Sequence, residues 1–118
     1  MPIVHVKGSQ PPGTRTDQAL RAVATAVANA TEGDVNGVWC TYSSAEIQTI
    51  GTTVPAQSDR ILYVDLLLKP RGQHVGEAAL GAAARAAAHA FEVKLEDVWA
   101  RLIELESRKV FAGGELVP

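Results

Sequence analysis

The strongest constraint on the fold is that the sequence begins again halfway along. Ala30, Glu32, Val38, Trp39 and Glu46 match Ala90, Glu92, Val98, Trp99 and Glu106 without a gap, each pair sixty positions apart. The matched Val-Trp pair is the most specific part, and the flanking patterns agree with it. In the first half, 2–7 (PIVHVK) is short, β-branched and stopped by Gly8, which reads as a strand. Pro11 and Pro12 force a loop. Asp17 then looks like an N-cap, and Leu20, Val23, Ala24 and Val27 recur at helical spacing, predicting an amphipathic helix over 17–30. Segment 38–43 (VWCTYS) reads as a second strand. The second half repeats the order with a strongly apolar strand over 61–68, an alanine-rich helix over 75–91 and a strand over 98–105. Segment 111–117 (FAGGELV) closes the chain as a hairpin.

This order predicts an α+β fold of two fused β-α-β units in a four-stranded mixed sheet. Strands within a unit pair in parallel, because a helical crossover joins them, and both helices fall on one face. At 118 residues the chain is long enough for one domain with a modest core, unit one over about 1–57 and unit two over about 58–118. The opposite sheet face is then bare and, on this reading, apolar, which predicts oligomerisation.

Composition removes several function classes. The net charge of -2 argues against a general nucleic-acid binder. Cys40 is the only cysteine, which excludes an intramolecular disulfide and a cysteine-based metal motif. His5, His74 and His89 have no metal-ligand spacing, so no metal site is predicted. No apolar run reaches transmembrane length and no signal-peptide pattern opens the chain, so no membrane partner and a cytoplasmic location are expected.

A set of short motifs in a fixed order gives the functional reading. The chain opens Met1-Pro2-Ile3 directly into a strand, carries Arg15-Thr16-Asp17 at the start of the first helix, and closes with Gly113-Gly114-Glu115-Leu116. Over nearly its whole length it resembles the 4-oxalocrotonate tautomerases of the tautomerase superfamily, which have a proline-initiated strand, an Arg-Ser-Asp helix start and a GGEL-type ending. The two-unit length, the Lys69-Pro70-Arg71 turn, Phe111 and Glu115-Leu116-Val117 are more similar to malonate semialdehyde decarboxylase, a fused relative. The resemblance implies the tautomerase/MIF-like fold and a homotrimer. It further implies that no cofactor is needed and that Met1 is removed to make Pro2 the free N-terminus.

A secondary amine is a base only when neutral. The reference α-amino pKa of about 7.7–8.0 is lowered further beside cationic groups. Pro2 then takes a proton α to a carbonyl and returns it elsewhere, a tautomerase or isomerase reaction on a small carboxylated keto or enol compound. Arg71 aligns with the family's first substrate-binding arginine and is the second catalytic candidate, its guanidinium able to clamp a carboxylate and stabilise a developing enolate, and Lys69 adds positive charge for substrate binding. Phe111 resembles the family's aromatic pocket wall. The family's second arginine falls on Trp39 in one unit and Trp99 in the other. Arg101, two residues beyond Trp99 on the same side of the strand, is the candidate substitute. Trp99 and Trp39 either line an apolar pocket or sit between subunits. The second unit opens with Ile61-Leu62, so one site per chain is expected. The decarboxylase's catalytic aspartate is replaced by Gly37. A decarboxylase or hydratase using Pro2 as an acid is therefore the first alternative, and a non-catalytic binding or structural trimer the second.

Overall fold

A computed structural model describes residues 2–9, 13–45, 48–55 and 60–118. Two β-α-β repeats build its main layer pair. Strand β1 (Ile3–Gly8), helix α1 (Thr14–Thr31) and strand β2 (Trp39–Ser44) form the first. Strand β3 (Leu62–Leu68), helix α2 (Gln73–Ala90) and strand β4 (Val98–Glu104) form the second. The sheet order is β2-β1-β3-β4. β1 pairs in parallel with β2, β3 in parallel with β4, and the two central strands β1 and β3 are antiparallel. The expected unit boundary near residue 57 and the matched residue Glu46 lie outside the described residues.

The sixty-residue repeat is visible in backbone geometry. Glu32 and Glu92, which follow the two helices, both adopt the left-handed conformation, at φ 54° and 57°. Each is followed by a short 3-10 turn, at Val35–Gly37 and Leu95–Asp97, that delivers the chain to a Val-Trp pair.

Alternation along the strands decides which face is covered. Val4 and Val6 of β1 and Leu62, Val64, Leu66 and Leu68 of β3 are buried under the helices. From the helices come Ala19, Val23 and Val27 of α1 and Ala79, Ala83 and Ala87 of α2. The alanines let α2 lie close to the sheet. Closest is Gly76, where a Cβ would come within 3.0 Å of Leu102 Cδ2.

Three expectations are corrected. Helix α1 starts at Thr14 rather than Asp17. Gly13 is its N-cap, its carbonyl accepting from the Thr16 and Asp17 N–H groups, while its own N–H donates to Thr16 Oγ1 at 3.2 Å. Asp17 sits in the first turn, where its charge favours the helix dipole. Helix α2 starts at Gln73 rather than Val75, because Gly72 turns the chain at φ 91° and its carbonyl accepts from Gly76 N–H.

The third correction concerns the open sheet face, which is bare but not uniformly apolar. Register sorts it into three rows. Trp39, Ile3, Leu67 and Ile103 form an apolar row; Thr41, His5, Asp65 and Arg101 a polar one; Ser43, Lys7, Tyr63 and Trp99 a mixed one. The polar residues are accommodated because they satisfy each other across strands. His5 Nδ1 and Thr41 Oγ1 share a hydrogen bond, and Arg101 binds Asp65 through two, of 2.7 and 3.2 Å.

The closing segment is a hairpin of β5 (Phe111–Ala112) and β6 (Glu115–Leu116). Its two-residue turn is Gly113-Gly114, at φ 63° and 83°, a conformation that the tight hairpin requires and glycine accepts without strain. No described helix is long and apolar enough to cross a membrane.

Candidate active site

The topology gathers one end of the sheet around Pro2. Parallel pairing sets the start of β2 beside the start of β1, with Ile3 opposite Trp39. The Trp39 N–H donates to the Pro2 carbonyl at 3.0 Å. Antiparallel pairing brings the end of β3 to the same place, with Ile3 opposite Leu67, so Lys69 and Arg71 follow at Pro2's end. β4 finishes there too, its exit held by Leu105 N–H donating to the Leu68 carbonyl at 3.0 Å. Pro2 is buried, on the helix side with Val4.

Beside it lies a cavity of about 140 Å³, lined by Ile3, Trp39, Lys69, Leu105, Glu106, Val110, Phe111, Ala112 and Val117. Two sequence-predicted residues, Lys69 and Phe111, meet in this wall. Pro2 itself is not one of the lining residues; its chain neighbour Ile3 and its hydrogen-bond partner Trp39 are. Lys69 Nζ donates to the Pro118 main-chain oxygen at 2.7 Å, which fixes its ammonium at the cavity and leaves two further donors. Phe111 is 71% exposed and Trp39 57%, so both rings stand at the rim rather than in the core.

Arg71 lies at the same end but outside the cavity wall. Its Nη1 is 3.5 Å from the Thr31 carbonyl, at the C-terminus of α1 where a cation is favoured. Trp99 and Arg101 are placed elsewhere within the chain. Parallel pairing of β3 and β4 sets Trp99 against Tyr63 at the far end of the sheet, the two rings meeting edge to face at 6.4 Å. Arg101 lies in the middle of the open face, committed to Asp65. That hydrogen bond, and then the carboxylate's charge, hold the guanidinium even more firmly protonated than usual. With His5, Lys7, Ser43 and Tyr63 they line a second, open groove.

The sequence marks Glu106 only as the repeat partner of Glu46 and as a solvated or paired charge, and Trp39 as a pocket or subunit-interface residue; in the structure Glu106 is exposed and borders the cavity, as Trp39 does. The sign for Trp39 was the β-α-β order itself, since parallel pairing must set the start of β2 beside Pro2. Nothing local marked Glu106, which reaches the cavity only because the hairpin folds back over the end of β4. Among the described residues no three His, Cys, Asp or Glu side chains gather as metal ligands would. Partial burial pushes the Cys40 thiol up to about 11, so it is a poor nucleophile.

No protein-family model and no curated protein matches the sequence. Solved structures do. Pt0534 inactivated by 2-oxo-3-pentynoate superposes with a TM-score of 0.85 at 12% identity, over 98% of this chain and 94% of that one. A wild-type fused 4-OT symmetric trimer gives 0.82 at 15% identity, over 98% and 94%. A member of the cis-3-chloroacrylic acid dehalogenase family, N1, gives 0.79 at 13% identity, over 98% and 83%. At such identities the likeness is one of fold. The chain has the tautomerase-superfamily fold, in the arrangement of the fused 4-OT structures.

Proposed function

We propose that this chain is a cofactor-independent tautomerase or isomerase that moves a proton on a small carboxylated keto or enol compound, with Pro2 as the base. The observation that carries this reading is the position of Pro2, buried at the start of β1 and tied to Trp39 beside an apolar cavity that holds a fixed lysine. Removal of Met1 frees the secondary amine. Low dielectric and the Lys69 charge disfavour its protonated form, so that it is a base at neutral pH. The amine takes the proton α to the carbonyl while the Lys69 ammonium holds the substrate's carboxylate, and the same proton is returned at the other terminus of the conjugated system. Arg71 supplies further positive potential at this end.

The fused 4-OT structures described as trimers support a homotrimer here, with the bare sheet face as the surface to be covered. A second reading rests on Glu106. A carboxylate in the cavity wall is a group that can activate water, which a hydratase or decarboxylase with a protonated Pro2 would use.

The test is an activity screen of the wild type and Pro2→Ala against enol and unsaturated 2-oxo acids. Activity that is lost with Pro2 supports the reading. Equal activity of the two proteins removes Pro2 from the mechanism. Product formed by addition of water or loss of carbon dioxide, rather than by a proton shift, favours the second reading.

A further inference from the structure

The cavity at Pro2 has a composition that selects among carboxylic acids. Seven of its nine lining residues are apolar: Ile3, Trp39, Leu105, Val110, Phe111, Ala112 and Val117. Its charged residues are one cation, Lys69, and one anion, Glu106. We propose that it takes monocarboxylates with an unbranched apolar tail of about five carbons and rejects dicarboxylates of the same length. This rests on the preceding reading only in letting the carboxylate sit at Lys69, where the reaction would need it.

Volume sets the tail length. A dry apolar cavity of about 150 Å³ in another protein accepts benzene, so about 140 Å³ suits a six-carbon acid with its head at Lys69. Charge sets the selection. A single carboxylate satisfies Lys69, which already has one acceptor, the Pro118 oxygen, and keeps two donors for the ligand. A second carboxylate at the far end of the tail has no cation in the wall to meet it. It would be partly desolvated against aromatic and aliphatic side chains, and Glu106 would repel it. Trp39 and Phe111 flank the rim as flat surfaces against which a hydrocarbon tail loses its water.

The test is calorimetric titration of the full chain with butanoate, pentanoate, hexanoate and adipate. These acids do not react, so binding is read apart from turnover. Each added methylene should tighten binding about fourfold, and adipate should bind at least about tenfold more weakly than hexanoate. Glu106→Gln should narrow the adipate penalty about threefold or more while leaving the methylene slope unchanged. Trp39→Ala should flatten the slope. Adipate binding as tightly as hexanoate, a flat slope in the wild type, or no hexanoate binding overturns the proposal. If the Pro2 screen shows no turnover while the slope and the adipate penalty hold, the selection stands and the reaction falls. If turnover depends on Pro2 but the slope is absent, the selection alone falls.

Discussion

The main-chain N–H of Trp39 donates to the carbonyl of Pro2 at 3.0 Å, so the first residue of β2 pins the residue proposed as the base. It is the parallel pairing of β1 with β2 that creates this contact, and the same pairing sets the Trp39 ring at the cavity rim. A residue on one strand thus anchors the Pro2 carbonyl and lines the neighbouring cavity.

Lys69 is the one cation in the cavity wall, and its loss should fall on substrate binding. A charge-assisted hydrogen bond to a carboxylate contributes about 1.5–3 kcal/mol, so Lys69→Ala should raise KM roughly tenfold or more, with a smaller effect on kcat. Arg15→Ala is the control. Arg15 pairs with Glu92 at 2.9 Å on the surface at the opposite end of α1, and its removal should leave kcat/KM unchanged. Steady-state kinetics of both variants decides the matter; an unchanged KM in Lys69→Ala removes the lysine from the site.

Glu32 holds a left-handed conformation at φ 54° that costs a non-glycine residue about 1–2 kcal/mol. Glycine removes that cost but adds freedom to the unfolded chain, about 0.5–1 kcal/mol. Glu32→Gly should therefore raise stability by roughly 0.5–1 kcal/mol, while Glu32→Ala should not. Thermal melts of the two variants test this, and equal shifts would mean that the strain at this position is negligible.

Gly76 is where α2 comes nearest to β4. Gly76→Ala gains helix propensity of about 1 kcal/mol, offset by the 3.0 Å approach to the end of the Leu102 side chain, and should be near neutral. Gly76→Val adds branches that the end of a single leucine cannot accommodate and should destabilise by about 1–3 kcal/mol. Urea denaturation separates the two. A valine variant as stable as the alanine one would show that helix and sheet are less tightly packed than this contact implies.

Cys40 should be inert in the folded protein at neutral pH, because burial raises its thiol to about 11 and the thiolate is the reactive form. Alkylation should be slow near neutrality, accelerate as pH approaches about 11, and become fast on unfolding. The sign follows for stability as well. The folded thiol binds its proton more tightly than the unfolded one, whose ordinary value is 9.0, so this group weakens the fold as pH rises above that value. Rapid labelling of the native protein near neutrality would contradict the burial.

What the sequence made legible was whatever depends on local pattern and order. The two β-α-β repeats, the parallel pairing within each, the covered face and the Gly-Gly hairpin all follow from alternation, helical spacing and turn chemistry, and all appear in the structure. Lys69 and Phe111 were legible from a resemblance whose motifs keep their order along the chain. The placement of Trp99 and Arg101 was not, because a repeat puts equivalent residues at opposite ends of an antiparallel pair of central strands. Trp39 therefore stands at Pro2 and Trp99 far from it. The polar row of Thr41, His5, Asp65 and Arg101 was equally hidden, since it exists only once the register of four strands is set. Glu106 reaches the cavity through the tertiary path of the closing hairpin, which no local pattern encodes.

The central claim is that Pro2 carries a free, neutral amine at the cavity, and covalent labelling tests it most directly. An alkynyl 2-oxo acid such as 2-oxo-3-pentynoate is an electrophile that a neutral secondary amine attacks by conjugate addition. Treated at neutral pH and mapped by peptide mass spectrometry, the protein should have lost Met1 and carry one adduct per chain, on Pro2, with activity lost in proportion. A retained Met1, or an adduct that forms on another residue while Pro2 stays unmodified, would contradict the account.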